Sequence, residues 1–296
     1  MKEPIFTGSS VAIITPFGQD GKVDYKKFGE LIDMQIKGGT KAITVCGTTG
    51  ESATQTLEEH METVDFCVRY VNHRCKVIAG AGSNDTMAAL MLAQEAEKSG
   101  ADALLMVTPY YNKATQRGLI KHYTYLADRV HTPIILYNVP SRTGCSFTVD
   151  TYKVLSQHPM INGIKEASGN FALLGDTLAA CGDDMNIWSG NDDEVVPMMS
   201  LGAKGVISVV ANVAPEVMAK LTKLCLDNDF RAAAELQLRY LDPCHKLFIE
   251  VNPIPVKAAM NLMGMEVGEC RLPLCEMDPA NVEKLRASMQ AVGLIQ

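Results

Sequence analysis

The 296-residue sequence predicts an α/β chain: a closed (β/α)8 barrel of the TIM type, followed by a C-terminal helical appendage. Three observations carry this reading. Eight short apolar or β-branched runs occur, helix-period stretches separate them, and the last quarter has helical pattern without strands. The runs are Val11–Thr15, Ala42–Val45, Lys76–Ala79, Ala103–Val107, Ile134–Tyr137, Ile161–Lys165, Asn186–Ser189 and Gly205–Val209. Helices are expected between them over Tyr25–Lys37, Leu57–Val71, Met87–Ser99, Gln116–Arg129 and Phe171–Cys181. Gly38, Gly100 and Gly182 stand at helix ends, where a left-handed residue closes the last turn. The eight units finish near residue 224, so residues 1–224 are expected to form the barrel and 225–296 a helical domain. That tail is expected to hold helices over Phe230–Glu250, Pro255–Met263 and Pro279–Val292. The Asn252–Pro255 break separates the first two, because proline lacks an N–H donor and suits a first helical turn.

Composition narrows the function. Lys plus Arg number 27 against 34 Asp plus Glu, a net charge of −7, without the basic excess that neutralising a phosphate backbone requires. Nucleic acid is therefore not an expected partner. No apolar run approaches the ~18 residues of a membrane span, and the first residues lack the apolar stretch of a cleavable signal. Cysteines stand at 46, 67, 75, 145, 181, 225, 244, 270 and 275, with no Cys-x-x-Cys pair or histidine cluster. They read as reduced thiols of a cytoplasmic protein, and no metal site is expected. The 47% hydrophobic content supplies a large core.

Barrel enzymes work where strands end and βα loops begin. After the second run, Gly47-Thr48-Thr49-Gly50-Glu51 offers backbone N–H groups and two hydroxyls to a carboxylate or oxyanion, although taken alone it is also a plain turn with a capping hydroxyl. After the fourth stands Thr108-Pro109-Tyr110-Tyr111-Asn112, with phenols for proton transfer or packing. The fifth ends in Tyr137 and continues to Arg142, whose guanidinium suits a substrate carboxylate. The sixth ends in Lys165. An inward lysine loses hydration, which favours the neutral amine that attacks a ketone to form a Schiff base. Pairing with the adjacent Glu166 is the competing structural explanation. Ser189-Gly190 and Ile207-Ser208 end the last two runs in small residues that leave room for a ligand. Asp192 and Asp193 are expected to cap the helix they open. The six histidines, His60 among them, show no triad spacing. Lys165, Tyr137, Thr48 and Tyr111 are all expected on one rim.

This set, in this order, resembles the pyruvate-dependent class I aldolases of the dihydrodipicolinate synthase and N-acetylneuraminate lyase family. The resemblance runs end to end through Gly47–Glu51, Thr108–Asn112, Tyr137–Gly144, Gly163–Gly169, Ser189–Asp192 and Gly205–Val209. Thr48 and Arg142 match the synthase side of the family. The resemblance implies a Lys165 imine with pyruvate that condenses with L-aspartate 4-semialdehyde, and no cofactor. It implies a proton relay of Tyr137, Thr48 and Tyr111, with Tyr111 reaching in from a neighbouring subunit of a homo-oligomer, a dimer of dimers. Thr48 and Thr49 would hold the pyruvate carboxylate and Arg142 that of the aldehyde, while Gly190 and Ile207 line the pocket. A lysine-effector site would fall on Ser52, Ala53, His60, Asn84 and Tyr110. It is degenerate here, because a histidine and a glutamate of that site are replaced by Leu57 and Ala88, and weak or absent lysine inhibition follows. The alternatives are a sibling aldolase for a 2-keto-3-deoxy sugar acid or N-acetylneuraminate, which Arg142 disfavours, and a catalytically dead barrel.

Overall fold

A computed structural model describes residues 2–296. Among the described residues, eight parallel strands hydrogen-bond in sequence order and the eighth closes on the first. They are β1 (Gly8–Ala12), β2 (Ala42–Val45), β3 (Lys76–Gly80), β4 (Ala103–Val107), β5 (Ile134–Asn138), β6 (Ile161–Glu166), β7 (Asn186–Ser189) and β8 (Gly205–Ser208). The helices of the first half are α1 (Tyr25–Lys37), α2 (Leu57–Val71), α3 (Thr86–Ser99) and α4 (Gln116–Ala127). Each begins at a residue whose side chain accepts a first-turn N–H: Asp24, Thr56, Asp85 and Thr115, the expected way of satisfying orphaned donors. The second half adds the short α5 (Pro140–Thr143), α6 (Val149–Leu155), α7 (Phe171–Cys181), α8 (Val195–Ser200) and α9 (Pro215–Leu226). The chain ends in α10 (Phe230–Arg239), α11 (Leu241–Lys246), α12 (Ile254–Leu262) and α13 (Pro279–Ala291).

Strand alternation divides the core into two layers. One apolar cluster fills the barrel interior with Phe6, Ile78, Leu105, Ile135, Trp188 and Ile207, among others. Phe6 stacks on Trp188 at 5.2 Å and accepts its indole N–H at 3.1 Å, which satisfies the one polar atom of a fully buried ring. The other cluster packs the outward strand faces under the helices.

Three sequence expectations need correction. The first strand begins at Gly8 rather than Val11, because polar residues are buried inside the barrel: Ser10 and Thr44 meet through their hydroxyls at 3.0 Å. Apolar patterning could not show this. Gly38 is right-handed (φ −73°), and Gly39 takes the left-handed turn (φ 90°); a side chain at Gly38 would instead collide with Pro215, 2.6 Å away. The expected helix over Phe230–Glu250 is two helices meeting at Tyr240, because Pro243 has no N–H to continue the ladder.

Candidate active site

Lys165 ends β6 one residue before the strand stops, in register with Tyr137 on β5 and Trp188 on β7. Its side chain is buried, 6% exposed, and its Nζ lies 4.4 Å from the centroid of the Tyr137 ring. It forms no ion pair with Glu166. The next residue along a strand faces the opposite way, so the Glu166 carboxylate points outward, where it accepts hydrogen bonds from Asn138 Nδ2 (3.1 and 3.2 Å), the Tyr152 hydroxyl (3.0 Å) and the Ser168 N–H (2.8 Å). This outer lock holds the ends of β5 and β6 together one residue above the Lys165–Tyr137 pair.

Thr48 lines two neighbouring spaces above the barrel mouth, a narrow one of about 60 Å³ that reaches Tyr137 and a wider one of about 510 Å³ that reaches Arg142. Thr49 is buried, and its hydroxyl accepts from Asn252 Nδ2 at 2.9 Å. A hydroxyl that accepts from below keeps its own proton to give to a ligand carboxylate. Arg142 is exposed at the wide space and donates to the Asn252 carbonyl at 3.3 Å. Gly190 closes against Lys165, its N–H held by the Glu166 carbonyl at 2.7 Å, and Ile207 is fully buried inside the barrel. Tyr111 is not brought to the lysine: it is 89% exposed at the rim, with φ 73°.

The wide space also meets Ser52, Ala53, His60 and Tyr110, together with Leu57 and Ala88, while Asn84 holds the Tyr110 carbonyl at 3.1 Å. His60 Nε2 donates to the Gly80 carbonyl at 2.8 Å, and burial lowers the pKa of this histidine. Among the described residues no group of three or more His, Cys, Asp or Glu side chains gathers as a metal site, and no helix is long and apolar enough to cross a membrane.

One expectation about this rim fails. Asp192 does not cap the helix it opens; its Oδ2 crosses to the turn after β8 and accepts from the N–H groups of Val209 (2.9 Å) and Val210 (3.0 Å). Burial pushes this carboxyl up, while the Ser208 hydroxyl, those N–H groups and the Lys165 charge pull it back. Sequence reasoning also missed Asn252, which touches both Thr49 and Arg142. It was visible only as part of a helix break.

An amine and a phenol side by side in the closed mouth of a parallel barrel define a class: lyases that work through a Schiff base on lysine. The sequence profile of the Dihydrodipicolinate synthetase family matches residues 5–292, and the chain belongs to that family. It is 51% identical over 292 residues to the 4-hydroxy-tetrahydrodipicolinate synthase of Lachnoclostridium phytofermentans, covering 98% of this chain and 99% of the relative. Among solved structures, the dihydrodipicolinate synthase of Aquifex aeolicus superposes with a TM-score of 0.95 at 47% identity, over 98% of this chain and 99% of that one. The Acinetobacter baumannii enzyme, described as chloride-inhibited and complexed with pyruvate, gives a TM-score of 0.96 at 41% identity, over 98% and 100%.

Proposed function

We propose that this chain catalyses the condensation of pyruvate with L-aspartate 4-semialdehyde, the 4-hydroxy-tetrahydrodipicolinate synthase reaction of diaminopimelate and lysine synthesis. The observation that carries the reading is the buried Lys165 amine beside Tyr137. The amine adds to the pyruvate ketone and water leaves, giving an imine. Loss of a proton from the pyruvate methyl group gives the enamine, whose carbon attacks the aldehyde. The amino group of the second substrate then adds to the imine carbon and displaces Lys165, closing the ring.

Each addition and elimination moves a proton, and a phenol next to the amine can donate and accept in turn. Tyr137 and Thr48 take that role, joined by Tyr111. With its ring almost wholly in solvent, Tyr111 is suited to serve a neighbouring copy, which makes a homo-oligomer, a dimer of dimers, the working form. Thr48 and Thr49 receive the pyruvate carboxylate, Arg142 that of the aldehyde, and Gly190 and Ile207 shape the pocket. Residues 1–224 form the catalytic barrel and 225–296 the helical domain. Nine free thiols support a reducing, cytoplasmic setting.

Borohydride reduction in the presence of pyruvate, followed by peptide mass spectrometry, tests the chemistry: the adduct is expected on Lys165, and an adduct elsewhere or none removes the mechanism. Aspartate semialdehyde and sugar aldehydes, offered side by side to the pyruvate-loaded enzyme, test the acceptor. Preference for a sugar aldehyde would move the assignment to a sibling aldolase.

A further inference from the structure

Behind the threonine loop, three segments far apart in sequence meet. Glu51 follows Thr48-Thr49-Gly50 with φ 54°, a left-handed conformation that strains a residue bearing a β-carbon and persists only where its surroundings over-determine it. Glycine would adopt this backbone freely, but it has no carboxylate. That carboxylate is buried, with Oε1 2.6 Å from Lys257 Nζ on α12 and Oε2 accepting the Arg271 backbone N–H at 2.9 Å. Lys257 is 2% exposed; its Nζ also donates to the Glu269 carbonyl at 2.9 Å and lies 4.1 Å from the centroid of the Phe17 ring. Burial holds its amine below the usual lysine range, and the Glu51 charge offsets part of that. Arg271 in turn grips Glu59 on α2 through both terminal nitrogens, at 2.5 and 2.6 Å.

The other end of this assembly reaches the loop itself. The Glu51 N–H donates to the Thr48 carbonyl at 3.1 Å, and Asn252, two residues ahead of α12, donates to Thr49 Oγ1 at 2.9 Å. A turn with glycines at 47 and 50 has little stiffness of its own, and binding hydroxyls hold a ligand well only when their pose is fixed beforehand.

We propose that the Glu51–Lys257 ion pair, together with Asn252, fixes Thr48 and Thr49 in their carboxylate-binding pose, so that the segment 252–271 sets the affinity for pyruvate. Glu51, Lys257 and Asn252 are positioning residues. The inference rests on the reading that Thr48 and Thr49 receive the pyruvate carboxylate.

The test is steady-state kinetics and thermal melting of the full-length chain as K257M, N252A and the double variant E51Q/K257M. In K257M and N252A the pyruvate KM rises about tenfold or more, while kcat and the aldehyde KM stay within about threefold, the pattern of lost uniform binding of one substrate. Removing both charges at once in E51Q/K257M strands neither but still abolishes the pair, so the pyruvate KM stays raised about tenfold; its return to within about threefold of native overturns the proposal by showing that only the stranded charge in K257M mattered. If K257M does not fold, N252A, which removes no charge, carries the same expectation. An unchanged pyruvate KM in either folded single variant, or equal rises in both KM values alongside a fallen melting temperature, overturns the proposal by leaving the pair a purely structural role. Borohydride trapping of the native enzyme separates the two layers. No pyruvate adduct there ends the functional reading and the positioning role with it, whereas a native adduct combined with an unchanged KM ends the positioning role alone.

Discussion

Replacing Gly190 with alanine places a methyl group against the reacting lysine. A β-carbon built there lies 2.6 Å from the Ala167 β-carbon, 3.1 Å from the Glu166 carbonyl oxygen and 3.1 Å from Lys165 Cε. Comfortable carbon–carbon contacts begin near 3.5 Å, so Ala167 and residue 190 need to part by almost 1 Å. Neither is free to do so: the Gly190 N–H is held by the Glu166 carbonyl at 2.7 Å and the Ala167 N–H by the Asn138 carbonyl at 2.9 Å. The softest of the three neighbours is the lysine side chain, which swings its Nζ away from Tyr137. Overpacking of this kind costs about 1–3 kcal/mol of stability, or roughly 2–5 °C in Tm for a chain this size. A displacement of about 1 Å at the reacting atom lowers a rate about 10²-fold. Rapid mixing with pyruvate, borohydride quenching and intact-mass measurement give the adduct formation rate, and a melting curve gives the stability. Gly190→Ala forming adduct at the native rate would refute the reasoning even if its Tm falls, because the strain would then have been absorbed away from Lys165.

Two further outcomes are expected. Leu57 and Ala88 bring no charge to the wide space they line with His60 and Tyr110, and Glu51, the carboxylate that borders it, is already paired with Lys257, so an ammonium effector there lacks a free counter-ion; steady-state rates with about 1 mM lysine should stay near the uninhibited value, and strong inhibition at that concentration, which corresponds to roughly 4 kcal/mol of binding, contradicts the expectation. His122 is buried against Thr86 Oγ1 at 2.9 Å, and burial pushes its pKa down to about 4 from 6.5. The folded state therefore refuses a proton that the unfolded chain accepts below pH ~6.5: the native-state advantage is whole above that pH and is lost as pH falls toward about 4, by roughly 3 kcal/mol. Denaturant melts of H122Q across pH 4–7 should show a shallower acid limb than native, and parallel curves count against His122 as the titrating group.

Much of the barrel was legible because its strands are short apolar runs buried on both faces. Ala42–Val45, Ala103–Val107 and Asn186–Ser189 were read to the residue. The β1 boundary was lost where serines occupy the interior, and α6 was lost because seven residues are too few to display a helical period. The rim positions of Lys165 and Tyr137 followed from strand alternation and from the convergence of parallel strand ends. Asp192 was misread because a carboxylate just ahead of a helix reads as its cap, while its true partners, the N–H groups of Val209 and Val210, lie 17 and 18 residues away.

Local pattern, order and residue type are properties of the chain itself, and they set the closed barrel, the inward lysine on its sixth strand and the phenol on its fifth. What required three dimensions is everything joined across long sequence separations: Asn252 meeting Thr49 over 203 positions, Arg271 meeting Glu51 over 220, and Lys257 neutralising a buried glutamate that no neighbour in sequence could satisfy. Hydrophobic periodicity records which face of an element is buried, whereas the partner of a buried charge is chosen by closure of the whole fold, and a linear pattern carries no trace of that choice.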